Sequence, residues 1–240
     1  MIQKTRGIAL KVTNYSESSI VVHIFTEHLG MQSYLVNGAR KPKAKLHSNL
    51  FQPLHLLEMV VYNKNTNNLQ RIKEAQAIPS LTEIPFDILK GSVAMFLNEV
   101  VYKVLMHQSS DPYLFNFIHT SIHWLDKTDQ PIQNFHLSFL MQLSKYLGYL
   151  PTITQERKPF FDLMDGIFTD IAPAHSYVLQ DPHTQIFYDI LTTPYELAHT
   201  LKVRREDRMY LLNQIINFYK LHTENFGSVH SLLILEELFN

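Results

Sequence analysis

The chain has 240 residues, a formal net charge of −1 and no cysteine. That length allows one large domain or two unequal ones, and two is the reading taken here. The missing cysteines exclude disulfides, thiolate zinc sites, iron–sulfur clusters and cysteine nucleophiles, and they suit a reducing cytoplasm.

Residues 1–11 lack the apolar stretch of a secretory leader, and no apolar run is long enough to span a bilayer, so a soluble, unexported protein without membrane contact is expected. The near-neutral total hides an asymmetry. Residues 1–77 carry ten Lys or Arg against four Asp or Glu, and the remainder is correspondingly acidic. A basic module favours phosphate backbones through counterion release, whereas an acidic one repels them and is better suited to protein contacts.

Up to Ala77 the apolar residues alternate with period two, the pattern of strands buried on one face. Residues 5–13 set Ile8, Leu10 and Val12 on one face, and residues 18–26 set Ile20, Val22 and Ile24 opposite Val21, His23 and Phe25. Turn-like residues 14–17 separate these two strands, and residues 27–30 turn into a third at 31–36. Strands at 54–62 and 69–74 follow, joined by an Asn-rich hairpin loop at 63–68. Five short strands with a longer connection after the third match the layout of an OB-type barrel, although other small barrels share the count.

That longer connection holds the densest charge feature, Gly38, Ala39, Arg40, Lys41, Pro42, Lys43, Ala44 and Lys45. Four cations in six positions repel one another unless they are solvated or face an anion, and the glycine permits a close backbone approach. In an OB barrel the loop lies beside the nucleic-acid groove, which makes Arg40, Lys41, Lys43 and Lys45 the candidate DNA-binding residues. Arg6, Lys11, Lys64, Arg71 and Lys73 extend the patch, and Tyr15, Phe25 or Tyr34 offer stacking surfaces for unpaired bases.

Residues 78–85 read as a linker, after which the period changes to 3.6. Helices are expected at 88–107, 112–125 and 131–147, the last two opening near a proline and the last closing at Gly148. Residues 151–191, broken by Pro159, Gly166, Pro173 and Pro182, read as loop with a short hairpin. Helices resume at 194–201, 204–222 and 229–239. His119 and His123 have the i, i+4 spacing of metal ligands, but no third donor stands at a recognisable distance, so no metal is expected. Asp162, Asp165 and Asp170 lie in turn-like sequence without a partner motif, which favours structural roles over acid–base work. Neither a P-loop nor a GxGxxG is present, so no nucleotide or other cofactor is expected.

These residues resemble the RecO recombination mediators. The resemblance runs through Gly7 to Leu10, Tyr15, Glu17, Ser18, Phe25, Thr26, Gly30, Gly38 to Lys43 and Phe51 to Pro53, then Leu147, Gly148 and Pro151, and finally Phe218, Tyr219, Leu221, His222, Phe226, Ser231, Leu238 and Phe239. It implies an α+β architecture, with an N-terminal OB-fold barrel at residues 1–77 and a helical partner-binding domain at 78–240. Many members carry a four-cysteine zinc module in the region corresponding to 152–181. Here Phe161, Asp162, Leu163 and Gly166 persist without any cysteine, so zinc is not carried over.

The resemblance also implies a cytoplasmic, nucleoid-associated, non-enzymatic protein. Such a protein binds single- and double-stranded DNA, anneals complementary strands, holds the acidic C-terminal tail of single-strand-binding protein, and works with RecR to load RecA. Lys90, Lys103 and Lys145, each on a helix with large apolar neighbours, are the candidate tail contacts. The competing reading is an OB-type RNA-binding or ribosome-associated factor, which a preference for structured RNA would mark. A small enzyme dependent on Asp162 or His119 is a third.

Overall fold

Five strands form the first sheet: β1 (Ile2–Asn14), β2 (Ile20–Thr26), β3 (Gly30–Val36), β4 (Leu56–Tyr62) and β5 (Arg71–Ala77), with β2 and β4 rich in β-branched and aromatic residues and β5 largely polar. They come from a computed structural model that describes residues 1–63, 69–78, 81–154 and 158–238 and divides into two units, Met1–Lys127 and Thr128–Asn240. The sheet order is β3-β2-β1-β4-β5, with antiparallel neighbours. Its two ends meet just before β5. Leu35 N–H donates to the Gln70 carbonyl at 2.9 Å, and Gln70 N–H donates to the Ser33 carbonyl at 2.9 Å, in a parallel bridge. This contact closes the sheet into a barrel at that point. Ala9, Ile20, Val22, Ile24, Phe51 and Met59 fill the interior.

The expected face of the first strand changes partway along it. Leu10 is skipped in the pairing between Ala9↔Ile24 and Lys11↔His23, and this bulge breaks the alternation. Ile8, Ala9 and Leu10 are therefore all buried, while Val12 is exposed. The Leu10 carbonyl accepts instead from Asn98 Nδ2 at 3.0 Å. Leu54, expected to open the fourth strand, sits in a turn at φ 63°, and the fifth strand begins at Arg71 and runs on to Ala77. Of the Asn-rich loop, residues 64–68 lie outside the described residues.

Helices α1 (Ile88–Leu105) and α2 (Pro112–Lys127) belong to the first unit. Asp87 caps α1 by accepting from Lys90 N–H, and Asp111 caps α2 by accepting from Leu114 N–H at 3.0 Å. They cover the outer face of the barrel. Phe25 packs on Phe115 with ring centroids 6.1 Å apart, and His23 meets Tyr102 edge-on at 5.6 Å. The β5–α1 connection is pinned by one buried carboxylate, Asp126, which accepts from the backbone N–H groups of Thr82, Glu83 and Ile84 at 2.9–3.0 Å.

The second unit begins with α3 (Phe135–Tyr146), which Gly148 closes from the left-handed region at φ 86°. The stretch read as loop with a hairpin is more ordered than that. It contains β6 (Phe160–Asp162), β7 (Ile167–Thr169) and β8 (Val178–Gln180), in sheet order β7-β6-β8, followed by α4 (His183–Thr192). A 3₁₀ turn at Tyr195–Thr200 replaces the helix expected there, and α5 (Arg205–His222) and α6 (Ser231–Leu238) complete the unit. The small sheet has an aromatic centre. Phe161 lies 4.8 Å from Phe168, 4.6 Å from Phe187 and 6.3 Å from Phe218, centroid to centroid.

Candidate nucleic-acid interface

The connection from β3 to β4 is a built turn. Gly38 adopts φ 66°, a conformation costly for other residues, and this lets Lys41 N–H fold back onto the Gly38 carbonyl at 3.0 Å. Ala44 N–H then closes on the Lys41 carbonyl at 3.1 Å. Ala39 is buried in the barrel core and its carbonyl accepts from Ser48 N–H at 3.0 Å, so the turn is anchored at its root. Arg40 N–H donates to the Ser18 carbonyl at 3.1 Å, tying the turn to the β1–β2 connection. Arg40, Lys41, Lys43 and Lys45 are all exposed, and none has a carboxylate partner among the described residues. Four unneutralised cations on a fixed backbone form a field that an extended polyanion can satisfy.

The other expected DNA contacts divide. Lys11 is exposed, with its ammonium 4.9 Å above the Tyr102 ring. Arg71 and Lys73 are exposed on β5, Lys73 beside Glu74 at 3.9 Å, and barrel closure at Gln70 brings Arg71 alongside β3, the strand that feeds the basic turn. Lys64 lies outside the described residues. Arg6 departs from the expectation. Its Nε and Nη2 donate to the two Glu27 carboxylate oxygens at 2.9 and 2.7 Å, Nη2 also reaches Asn116 Oδ1 at 2.8 Å, and the guanidinium sits 5.1 Å over Phe115. Hydrogen bonding to Glu27 raises the arginine pKa, and the same bond lowers that of the glutamate. Its charge is already neutralised, so Arg6 is a clamp between strand and helix and is withdrawn as a phosphate contact.

Tyr34 is also withdrawn. Its ring is 0% exposed inside the barrel, and burial pushes the phenol pKa well up. Period-two patterning cannot tell which face of a closed barrel turns inward, and the inward face took Tyr34. Phe25 is buried as well, under Phe115. Tyr15 alone of the three is open, at 62% exposure.

Among the helical lysines, Lys90 is 9% exposed and its ammonium donates to the Asp126 carbonyl at 3.0 Å, near the end of α2, which makes it a packing residue rather than a tail contact. Lys103 stands 3.8 Å from Glu99 one turn away, and Lys145 is exposed on α3. His119 stacks on Phe115 with centroids 6.0 Å apart, and burial lowers its pKa, with Arg6 adding to the effect. No three His, Cys, Asp or Glu side chains gather to hold a metal among the described residues. Asp162 accepts from Met164 and Asp165 N–H at 2.8 and 3.1 Å, shaping the β6–β7 turn, and Asp170 pairs with Lys158. Sequence reasoning assigns no contact to Asp126 or to the Ser18 carbonyl. An aspartate near a helix end and a serine in a turn carry no signal of the distant backbone groups they meet.

Comparison with known proteins agrees with this architecture. The family described as "Recombination protein O N terminal" matches residues 1–81, and "Recombination protein O C terminal" matches residues 85–231. The "DNA repair protein RecO" of Phocaeicola vulgatus is 36% identical over 241 residues, covering all of both chains. That of Bacteroides fragilis is 36% identical over 242 residues, also with full coverage. The protein of the same name from Flavobacterium psychrophilum is 32% identical over 238 residues, 99% of each chain. These matches favour DNA over the RNA-binding alternative, and among the described residues no helix is long and apolar enough to cross a membrane. A closed barrel with a basic rim, helices behind it and full-length relatives together place the chain in the RecO family of DNA repair proteins.

Proposed function

We propose that this chain anneals complementary single strands of DNA and helps load a recombinase onto strands coated by single-strand-binding protein, using the basic turn as its main phosphate contact and acting without catalysis. The carrying observation is the set of four exposed cations, without a carboxylate partner among the described residues, on a turn anchored in the barrel wall. Annealing requires only that phosphate repulsion be neutralised while base edges stay free, and such a turn meets that requirement. Lys11 and Arg71 extend the contact, with Lys73 beyond them. The partners in this reading are single- and double-stranded DNA, the acidic tail of single-strand-binding protein, RecR and, indirectly, RecA. Lys103 and Lys145 are the remaining candidates for the tail. Division of labour follows residues 1–77 for DNA and 78–240 for partners.

The test is the salt dependence of binding. Changing Arg40, Lys41, Lys43 and Lys45 together to alanine is expected to flatten log affinity against log salt by up to about 3 units on single strands, at roughly 0.7 per phosphate contact. Annealing of strands coated with single-strand-binding protein should fall in parallel, and it should fall again when the coat protein lacks its tail. A folded quadruple variant with wild-type affinity and slope would overturn the reading.

A further inference from the structure

We infer that Tyr15 is the base-stacking platform of this interface and that it makes the interface prefer unpaired strands to finished duplex, an inference that rests on the strand-binding reading above. The β1–β2 connection is a tight turn. Tyr15 N–H donates to the Ser19 carbonyl at 3.0 Å, Ser16 N–H donates to the same carbonyl at 3.3 Å, and Ser19 N–H donates to Ser16 Oγ at 3.3 Å. These bonds fix the Tyr15 backbone while leaving the residue 62% exposed, its side chain without a ring or hydrogen-bonding partner among the described residues. A single exposed aromatic means little. This one belongs to a turn whose Ser18 carbonyl holds Arg40 N–H at 3.1 Å, so the turn that carries Tyr15 and the basic turn are tied to each other by a backbone hydrogen bond three residues from the tyrosine.

The two groups do different work. Cations bind phosphates of paired and unpaired DNA alike, whereas an aromatic ring needs an uncovered base face, which an open strand has and a stacked duplex lacks. Stacking occupies the face of a base and leaves its Watson–Crick edge outward, so a strand held by Tyr15 still pairs. Once paired, the base moves into the duplex stack and the ring loses its contact. The product is then held by phosphate contacts alone and is released more readily than the reactants. Base pairing itself drives annealing forward, and the loss of the Tyr15 contact favours release of the duplex and turnover of the interface.

Binding of the full chain to oligo-dT, to an abasic strand of equal length and to duplex separates these roles. Tyr15→Ala should weaken oligo-dT binding about 5- to 150-fold, the range of one aromatic–base stack. It should leave the abasic strand, the duplex and the salt slope unchanged. Tyr15→Trp should retain oligo-dT affinity, and quenching of a 2-aminopurine probe by the wild type should be lost in Tyr15→Ala. Wild-type oligo-dT affinity in Tyr15→Ala, beside a large loss in the quadruple basic-turn variant, removes the platform and leaves the interface standing. An equal loss by Tyr15→Ala on all three substrates also removes it, since a stacking contact cannot act on an abasic strand. If the quadruple variant binds normally, the strand-binding reading fails and this inference fails with it.

Discussion

Arg6 of β1 and Glu27, in the turn after β2, form a two-point ion pair with N···O distances of 2.9 and 2.7 Å, and Asn116 of α2 completes the set. The pair ties β1 to the β2–β3 turn and, through Asn116, to α2, so its loss should appear in stability and not in DNA binding. Because the arginine side chain is 38% exposed, solvent screening limits the effect, and Arg6→Ala should cost about 1 kcal/mol. Glu27 has a depressed folded pKa, so its contribution is present above its unfolded value of about 4.3 and fades as pH falls through the folded value. Denaturant midpoints between pH 3 and 7 should therefore converge for wild type and Arg6→Ala at the acid end. A reduced salt slope on single strands in Arg6→Ala would return the residue to the interface.

Asp126 should matter more. Burial opposes its charge, but the N–H groups of Ile84, Thr82 and Glu83, with the Lys127 ammonium, outweigh that and hold the carboxyl well below the usual range. Asp126→Ala leaves three backbone donors without their acceptor, an expected loss of about 3 kcal/mol, and Asp126→Asn should lose less because one acceptor oxygen remains. Lys90→Ala, which frees the Asp126 carbonyl, is expected to destabilise by about 1–2 kcal/mol and to leave tail-peptide affinity unchanged. Amide exchange at residues 82–84 is the direct readout. Retained protection there in Asp126→Ala would show that another group holds the connection.

The barrel was legible because alternation and turn residues are local signals, and the basic turn was legible because like charges rarely cluster by chance. What escaped was non-local. The Leu10 bulge depends on Asn98 in a helix 88 residues away, which receives the carbonyl that the bulge frees. Tyr34 and Tyr15 look alike in sequence, and only closure of β3 onto Gln70 puts one inside while the β1–β2 turn leaves the other out. Helix α4 carries little sequence signal because Pro182 and Asp181 beside it have loop composition. Arg6 and Lys90 read in sequence as candidate DNA and tail contacts because their acceptors, Glu27 and the Asp126 carbonyl, lie 21 and 36 residues away.

A pH response is expected in the second unit through His136 on α3. The ring is fully buried, and burial, followed by the charge of Arg208, pushes its pKa down to about 3. A folded value below the unfolded one of about 6.5 means the neutral ring is favoured in the native state. Its contribution is complete above pH ~6.5 and lost as pH falls, at about 1.4 kcal/mol per unit. By pH ~4.5 the unit should have lost roughly 3 kcal/mol, before most carboxylates titrate. Urea midpoints followed by exchange of α3 amides give the measurement. His136→Leu should flatten the dependence over this window. An unchanged midpoint between pH 7 and 4.5 in the wild type would contradict the assignment.

With no cysteine in the chain, β6, β7 and β8 are held together by aromatic packing. Phe161 is buried at the centre of the small sheet, within 4.8 Å of both Phe168 and Phe187, and Phe218 of α5 closes the cluster. Polar ties reinforce it, with His222 Nε2 hydrogen-bonded to the Leu163 carbonyl at 2.9 Å and Thr184 Oγ1 donating to the Pro159 carbonyl at 3.1 Å. If aromatic packing has taken over the task that a metal performs elsewhere, folding should be insensitive to chelation and acutely sensitive to the ring. Phe161→Ala is expected to cost about 3–5 kcal/mol, the range for a fully buried aromatic, and Phe161→Leu less, because much of the volume is kept. Amide protection at residues 160–169 should fall with it, while Phe115→Ala, in the other unit, should leave those amides untouched. Prolonged dialysis against a chelator should change neither the unfolding midpoint nor strand annealing. One zinc per chain surviving that dialysis, or loss of the small sheet on chelation, would place a metal where the rings are now assigned the work.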